Sequence, residues 1–120
     1  MNKQRKEERK KLLAFTPVYD SHQNILLGYL GDLTLQGAMM VGEKLMEIDR
    51  QISLAIDFPE TPEFPATRMT IPARVAWCRQ DKNPQYYHTG FEFREISQQN
   101  QKVIEAILER YQFRREMPAY

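Results

Sequence analysis

Hydrophobic and polar residues alternate with a period of two over much of this chain, a pattern typical of strands with one buried face. The alternation is clearest in 51–58, where every second residue is a large aliphatic or aromatic one. In 73–78 it places Ala73, Val75 and Trp77 on one face and Cys78 on the other. Turn-forming residues separate the segments, including a turn expected at Gly31 and Asp32. Six strands are predicted, over residues 12–19, 24–30, 35–41, 51–58, 66–79 and 85–95.

The predicted strands are joined by short connections with no helical segment between them, which favours antiparallel pairing. A sheet of this size with one apolar face tends to close on itself. The sequence therefore predicts a mainly β protein with a six-stranded antiparallel β-barrel.

The hydrophobic period changes to 3.6 after Ser97, which indicates an amphipathic helix over residues 97–115. Ser97 is a suitable N-cap, and basic residues lie near the end of the segment, where the helix dipole favours them. The apolar stripe, which we expect to pack on the barrel, comprises Val103, Ile104, Ile107, Leu108 and Tyr111; the basic residues are Arg110, Arg114 and Arg115.

Six of the seventeen basic residues lie within the first eleven positions, and no apolar residue lies between Asn2 and Lys11. Such a segment has little to bury and is predicted to be a flexible basic arm. The expected organisation is an arm over 1–11, a barrel over 12–96, a helix over 97–115 and a tail over 116–120.

Composition excludes several classes of protein. The chain has 120 residues, 42% of them hydrophobic, and a formal net charge of +1, as expected for one globular domain without a large overall field. Its single cysteine, Cys78, cannot form an internal disulfide, which favours a reducing compartment. The apolar runs are too short to span a bilayer. We expect a cytoplasmic protein that does not insert into membranes.

No catalytic, metal or cofactor motif is evident. His22 lies in a predicted turn and His88 in a predicted strand, and the sequence places no reactive serine or paired carboxylate beside either. Cys78 is interpreted as a small half-buried side chain rather than a nucleophile. The chain lacks a Walker loop, a dinucleotide-binding glycine pattern and a His-Glu-x-x-His motif. We expect neither enzymatic activity nor a metal or cofactor.

Two short motifs remain. The spacing Arg5-x-x-x-Arg9 suits two guanidinium groups on one ligand, although alone it is more typical of a solvated charged segment. In Asp32-x-Thr34-x-x-Gly37 a carboxylate can accept two N–H bonds from guanine, the hydroxyl faces the same side, and glycine permits close approach of a ligand. Alone, this second motif is equally well explained as a hairpin turn in which Asp32 caps its own backbone.

Together the two motifs resemble the paired signature of PilZ domains, bacterial receptors for cyclic di-GMP. The resemblance extends over nearly the whole chain, since 71–79 and 89–93 look like later barrel strands of the family and a C-terminal helix follows. The family usually has serine where this chain has Thr34, which keeps the hydroxyl and adds a methyl group that stiffens the side chain.

The resemblance implies a binding site for cyclic di-GMP made of Arg5, Arg9, Asp32, Thr34 and Gly37. The arginines would hold the phosphates and the Hoogsteen edges of the guanines, Asp32 and Thr34 would read a guanine or sugar edge, and Gly37 would provide clearance. Ligand would order the arm and signal in trans to a partner, with flagellar, pilus, polysaccharide-synthesis and chemotaxis machinery as candidates.

Two alternatives stay open from the sequence. One is a PilZ-like module that binds no nucleotide and serves only as a protein-interaction scaffold. The other, less favoured because no DNA partner is expected, is a nucleic-acid-binding barrel in which Tyr86, Tyr87 or Phe91 stacks on bases. Nucleic-acid binding would be strongly salt-dependent and would survive Asp32→Ala.

Overall fold

The computed structural model describes residues 11–13, 16–60 and 65–113 of the chain. Within these ranges the chain forms eight strands and one helix. The elements are β1 (Lys11–Leu13), β2 (Pro17–Asp20), β3 (Ile25–Leu33), β4 (Gly37–Gly42), β5 (Gln51–Phe58), β6 (Thr67–Gln80), β7 (Tyr87–Phe93), α1 (Gln98–Arg110) and β8 (Tyr111–Phe113).

Six of the strands form a closed barrel in the order β2-β3-β4-β7-β6-β5, and every pairing within it is antiparallel. The predicted fold class is therefore confirmed. The alternating residues of β5 and β6 fill the interior, where Leu54, Ile56, Ile71 and Val75 have no exposed surface. Burial of these aliphatic side chains is the main source of the stability of the barrel.

A β-bulge interrupts β3 near its end. Leu30 pairs with Met40, but Asp32 pairs with Met39, so Gly31 is an extra residue without a partner in β4. Without the bulge, Asp32 would lie on the same inward face as the buried Leu30. The bulge turns Asp32 outward and returns the buried Leu33 to the core. The turn predicted at Gly31 and Asp32 is thus wrong, because β3 continues to Leu33.

A second bulge interrupts β6. Val75 pairs with Phe91 and Trp77 pairs with Gly90, which leaves Ala76 as the extra residue. The prediction that Trp77 shares the inward face of Val75 is therefore wrong. Trp77 lies on the outer wall, and Cys78 packs half-buried against the core.

The first predicted strand, 12–19, is divided in the structure. Its beginning belongs to β1, which pairs in parallel with β8 and not with the barrel, and its end forms β2. Pairing with β1 also explains why the helix ends earlier than residue 115. Tyr111, predicted on the helical stripe, is the first residue of β8, while Arg114 and Arg115 lie outside the described residues.

Helix α1 begins after the predicted N-cap. The Ser97 hydroxyl accepts a hydrogen bond from the Asn100 backbone N–H at 3.0 Å, which satisfies one of the free donors of the first turn. Ile104 and Ile107 are buried in the core, as the helical period predicts. Among the residues that the structure describes, no helix has the length and apolar character needed to span a membrane.

Candidate functional site

The turn between β3 and β4 is shaped by Thr34. Its hydroxyl oxygen accepts hydrogen bonds from the backbone N–H groups of Gln36 (3.1 Å) and Gly37 (3.2 Å), and its own N–H donates to the Gly37 carbonyl (2.9 Å). The hydroxyl proton has the Gly37 carbonyl at 3.4 Å as an acceptor, a long distance for an O–H donor. Since Thr34 is exposed, its proton is available to a ligand without breaking the turn.

Asp32 lies just before this turn and is half-buried. Its Oδ1 accepts a hydrogen bond from the Leu33 backbone N–H at 3.0 Å, so the carboxylate does cap its own backbone. A carboxylate has about four acceptor positions, so this bond alone does not exhaust it. The capping and ligand-binding interpretations of Asp32 are therefore compatible.

Gly37 has a packing role in the barrel. A Cβ atom at this position would lie 2.1 Å from the carbonyl oxygen of Phe91 in the neighbouring strand β7. Backbone atoms of a closed barrel cannot shift enough to relieve such an overlap, so glycine is required for the close approach of β4 and β7. Clearance for a ligand at Gly37 stays a prediction.

The register places a row of residues across four strands on the outer wall. Asp32 pairs with Met39, Met39 with Gly90, and Gly90 with Trp77. Directly paired residues project to the same face of a sheet, and three strand spacings separate the ends of this row by about 14 Å. The two bulges bring Asp32 and Trp77 into this row, because each one reverses the face on which the following residue lies.

Trp77 packs over Gly90. A Cβ atom at Gly90 would lie 2.2 Å from the Trp77 indole nitrogen, so the absence of a side chain makes room for the ring. The Arg79 guanidinium lies over the same ring, 4.6 Å from its centroid, in a cation–π contact. These contacts hold the indole against the outer wall of the barrel, in the same row as Asp32.

The row forms the floor of an open pocket of about 320 Å³ on the barrel wall. The pocket brings together three of the predicted site residues and adds an aromatic wall. Its lining includes Asp32, Thr34, Gly37, Met39, Trp77 and Glu92. Trp77 was not among the predicted site residues, because strict alternation assigned it to the core. Only the register between β6 and β7 reveals the bulge at Ala76.

The other two predicted site residues, Arg5 and Arg9, lie outside the described residues. Arg9 is two positions before Lys11, the first residue of β1. Strand β1 pairs with β8, and β8 contacts β3, the strand that carries Asp32. Lys11, where the arm meets β1, is therefore connected through β8 to β3, the strand that carries Asp32.

His88 and Asp81 form a pair outside the pocket that contains Asp32. His88 Nε2 is 2.9 Å from Asp81 Oδ1, a pairing that the sequence analysis did not predict. Backbone N–H donation from Asn83, followed by the bond with His88, lowers the pKa of Asp81 below its usual value. In the described ranges no group of three or more His, Cys, Asp or Glu side chains is placed to hold a metal ion.

The aromatic residues considered for base stacking differ in exposure. Phe91 is only 4% exposed and belongs to the core, so its predicted role as a stacking platform is wrong. Tyr86 and Tyr87 are half-buried near the end of the barrel opposite the β3–β4 turn. Trp77 is half-buried as well, but it lines the same pocket as Asp32.

Comparison with known proteins agrees with this geometry. Curated protein sequences give no significant match. Among solved structures, the fold is similar to the Inhibitor of motility (MotI/DgrA) of Bacillus subtilis, with a TM-score of 0.64 and 19% sequence identity. The similarity covers 89% of this chain and 51% of that chain, so this chain spans about half the length of that protein. The PilZ domain family model matches residues 3–110, and this chain therefore belongs to the PilZ domain family.

Proposed function

We propose that this protein is a receptor for cyclic di-GMP that orders its basic N-terminal arm on the ligand and signals in trans to a partner protein. The observation that carries the proposal is the outer-wall row ending in Asp32 and Trp77, next to the Thr34–Gly37 turn, in a chain of the PilZ family. The row combines an acceptor for guanine N–H groups with an aromatic surface for a purine.

The chemistry of guanine fits this pocket. The Watson–Crick edge of guanine presents two adjacent N–H donors, which a carboxylate such as Asp32 accepts side by side. Thr34 supplies an exposed hydroxyl to the same region. A base would stack on the Trp77 indole by displacing the Arg79 guanidinium that lies over its ring, and stacking of a base on an aromatic side chain contributes about 1–3 kcal/mol.

The arm supplies the positive charge that two phosphates require. Glu92 also lines the pocket, but it pairs with Arg74 at 2.9 Å, so its charge is partly neutralised by the barrel itself. At about 3.5 Å per extended residue, Arg9 reaches about 7 Å beyond Lys11, and Arg5 reaches about 21 Å. These lengths, together with the contact between β8 and β3, support an arm that closes over the pocket.

Binding would produce its signal through the arm. Two bidentate arginine–phosphate or arginine–guanine contacts would pin a segment that has no apolar residues of its own to bury. The pinned arm and ligand together form a new surface on the barrel wall. A partner that binds this surface would detect the bound ligand.

The test is isothermal titration with cyclic di-GMP, with tryptophan emission recorded in parallel. Trp77 is the only tryptophan of the chain, so a ligand stacked beside it changes the emission directly. Arg5→Ala, Arg9→Ala, Asp32→Ala and removal of residues 1–10 are each expected to weaken binding at least thirtyfold, about 2 kcal/mol. Arg110→Ala, which removes an exposed arginine from the end of α1, is the matched control.

Two outcomes would overturn the proposal. Absence of heat and of an emission change at high protein concentration would identify a PilZ module that acts only through protein contacts. Binding of single-stranded DNA that falls steeply with salt and persists in Asp32→Ala would instead identify the nucleic-acid-binding alternative.

A further inference from the structure

A cluster of exposed large apolar residues lies at the opposite end of the barrel from the β3–β4 turn. We call it the Leu45 surface; it comprises Ile25, Leu26, Leu45 and Ile48, which are 41%, 42%, 69% and 50% exposed. Ile25 and Leu26 begin β3, whereas Leu45 and Ile48 lie in the connection from β4 to β5. Several half-exposed aliphatic side chains at one end of a small domain mark an interaction site more often than a neutral surface.

The connection that carries Leu45 and Ile48 is tightly anchored. Met46 is 4% exposed, and its N–H donates to the Cys78 sulfur at 3.5 Å. The Asp49 N–H donates to the Val75 carbonyl at 2.8 Å, and its carboxylate pairs with Arg74. Leu45, next to Met46, and Ile48, between Met46 and Asp49, therefore project into water from a fixed backbone and lose little entropy when a partner covers them.

A groove lies beside this surface. It has a volume of about 260 Å³, and its lining includes Leu26, Tyr29, Val41, Lys44 and Tyr86. Leu26 belongs both to the groove and to the Leu45 surface, so the two are continuous. Together they present a largely apolar channel, with Glu43 and Lys44 in its lining, next to the exposed side chains of Leu45 and Ile48.

The shape of the barrel limits what the channel can take. All six strands are paired on both sides, so the barrel offers no free edge for an added strand. Recognition at this end must use side chains, and an apolar groove of this kind fits the apolar stripe of an amphipathic helix. Residues at every third or fourth position of such a helix would enter the groove and cover Leu45 and Ile48.

The charged residues around the Leu45 surface favour a partner of opposite charge. The connection, residues 43–50, carries exposed Glu43, Glu47 and Asp49 against Lys44 and Arg50. Arg50 pairs with the buried Asp20 and Asp49 pairs with Arg74, which leaves Glu43 and Glu47 against Lys44. Two copies of this chain meeting through the same surface would bring four glutamates together with two lysines, an excess of like charge that disfavours self-association. A partner with lysine or arginine beside its apolar stripe would instead be complementary.

We propose that the Leu45 surface is a docking site for a basic amphipathic helix of a partner protein. Leu26 and Leu33 are seven residues apart on β3, so the Leu45 surface lies about 23 Å from the β3–β4 turn. Both sites can therefore be occupied at once. The proposal does not require cyclic di-GMP to bind, and its test is made without the nucleotide.

The test uses two fluorescent helical peptides of about 18 residues with the same leucine stripe, one with lysine and one with glutamate at its polar positions. Anisotropy titration is expected to show the lysine peptide binding at least tenfold more tightly. Leu45→Ser/Ile48→Ser is expected to weaken its binding at least tenfold, since both side chains are exposed and their loss leaves the fold intact. Glu43→Lys/Glu47→Lys is expected to reverse the preference between the peptides.

The matched control is Glu105→Lys/Glu109→Lys, which makes the same charge change on the exposed face of α1. It is expected to change lysine-peptide binding less than twofold. Equal binding of both peptides, or equal loss in the control, would overturn the proposal by showing non-specific attraction. A dimer in light scattering that Leu45→Ser/Ile48→Ser dissociates would overturn it by identifying a second copy as the occupant.

Discussion

Asp20, the last residue of β2, and Asp32, near the end of β3, differ sharply in their surroundings. Asp20 precedes the turn into β3 and is 5% exposed. Its carboxylate accepts hydrogen bonds from the His22 N–H at 3.0 Å and the Gln23 N–H at 3.3 Å, and it pairs with Arg50 at 3.4 Å. Asp32 is half-buried, bonded to the N–H of the next residue, and faces an open pocket.

The difference shows how the same side chain serves the fold in one place and, in the function proposed above, a ligand in another. Asp20 joins the β2–β3 turn to Arg50 at the start of β5, so its oxygens are used by the barrel. Asp32 owes its outward direction to the bulge at Gly31. Residue type alone does not separate the two roles; the burial of each carboxylate and the direction in which it points do.

The largest effect is expected for Asp20→Ala. The change leaves two turn N–H groups and the Arg50 guanidinium without their acceptor, which costs about 3 kcal/mol of unfolding free energy. Urea denaturation measures this loss. Cyclic di-GMP binding by the folded fraction is expected to stay within twofold of the unmodified protein, and a larger change would mean that the two ends of β3 are coupled.

Asp32→Ala is expected to weaken ligand binding more than it lowers stability, which is the reverse of Asp20→Ala. Loss of the charged acceptor for guanine should lower affinity by about 2 kcal/mol, roughly thirtyfold, whereas unfolding free energy falls by less than about 1 kcal/mol. Titration calorimetry and urea denaturation on one preparation separate the two quantities. A stability loss as large as that of Asp20→Ala would assign Asp32 to the fold.

Gly90→Ala tests whether Trp77, at the other end of the row from Asp32, belongs to the binding site. The added methyl group would overlap the Trp77 ring, so the indole must leave its position over β7. Affinity for cyclic di-GMP is expected to fall about tenfold, or 1.4 kcal/mol, with a shift in tryptophan emission before any ligand is added. An unchanged emission spectrum together with unchanged affinity would exclude Trp77 from the site.

Substitutions of Thr34 test the turn that follows Asp32. Thr34→Val removes the acceptor for the Gln36 and Gly37 N–H groups and is expected to cost about 1 kcal/mol of stability. Thr34→Ser keeps the hydroxyl and serves as the control, with stability near that of the unmodified protein. A larger loss in Thr34→Ser than in Thr34→Val, by thermal or urea unfolding, would show that the methyl group, and not the hydroxyl, holds the turn.

The smallest effect concerns a third turn aspartate, Asp81, between β6 and β7. Its pKa is lowered from the usual 3.8 by hydrogen bonds from the Asn83 backbone and from His88. A depressed folded-state pKa stabilises the fold above about pH 4, and this contribution is lost as the pH falls through the folded value. Urea unfolding is expected to show Asp81→Asn slightly less stable at pH 6 and equal to the unmodified protein near pH 2; a constant difference would contradict this assignment.

The strand and helix periods predicted most of the fold. Alternation in 51–58 corresponds to β5 without any shift of boundary, because this strand is regular and fully paired. The helical stripe through Ile104 and Ile107 and the Ser97 cap depend on neighbours within four residues, so they too could be inferred from the sequence. The errors concern β1, β8 and the bulges, each of which depends on pairing between distant segments.

The candidate site was only partly predictable for the same reason. Asp32, Thr34 and Gly37 lie within six residues, and their motif is visible in one segment. Trp77 joins them through three strand pairings that no local pattern encodes.

Local order of apolar and polar residues was enough to predict a small closed sheet, a C-terminal helix and the Asp32-x-Thr34-x-x-Gly37 motif, because each of these is visible in a short segment of the chain. Which way Asp32 and Trp77 point was decided only when strands far apart in sequence paired. One unpaired residue in β3 and one in β6 reverse the side on which the next residue lies. A period of two cannot signal such an insertion in advance, since the extra residue is defined by the partner strand.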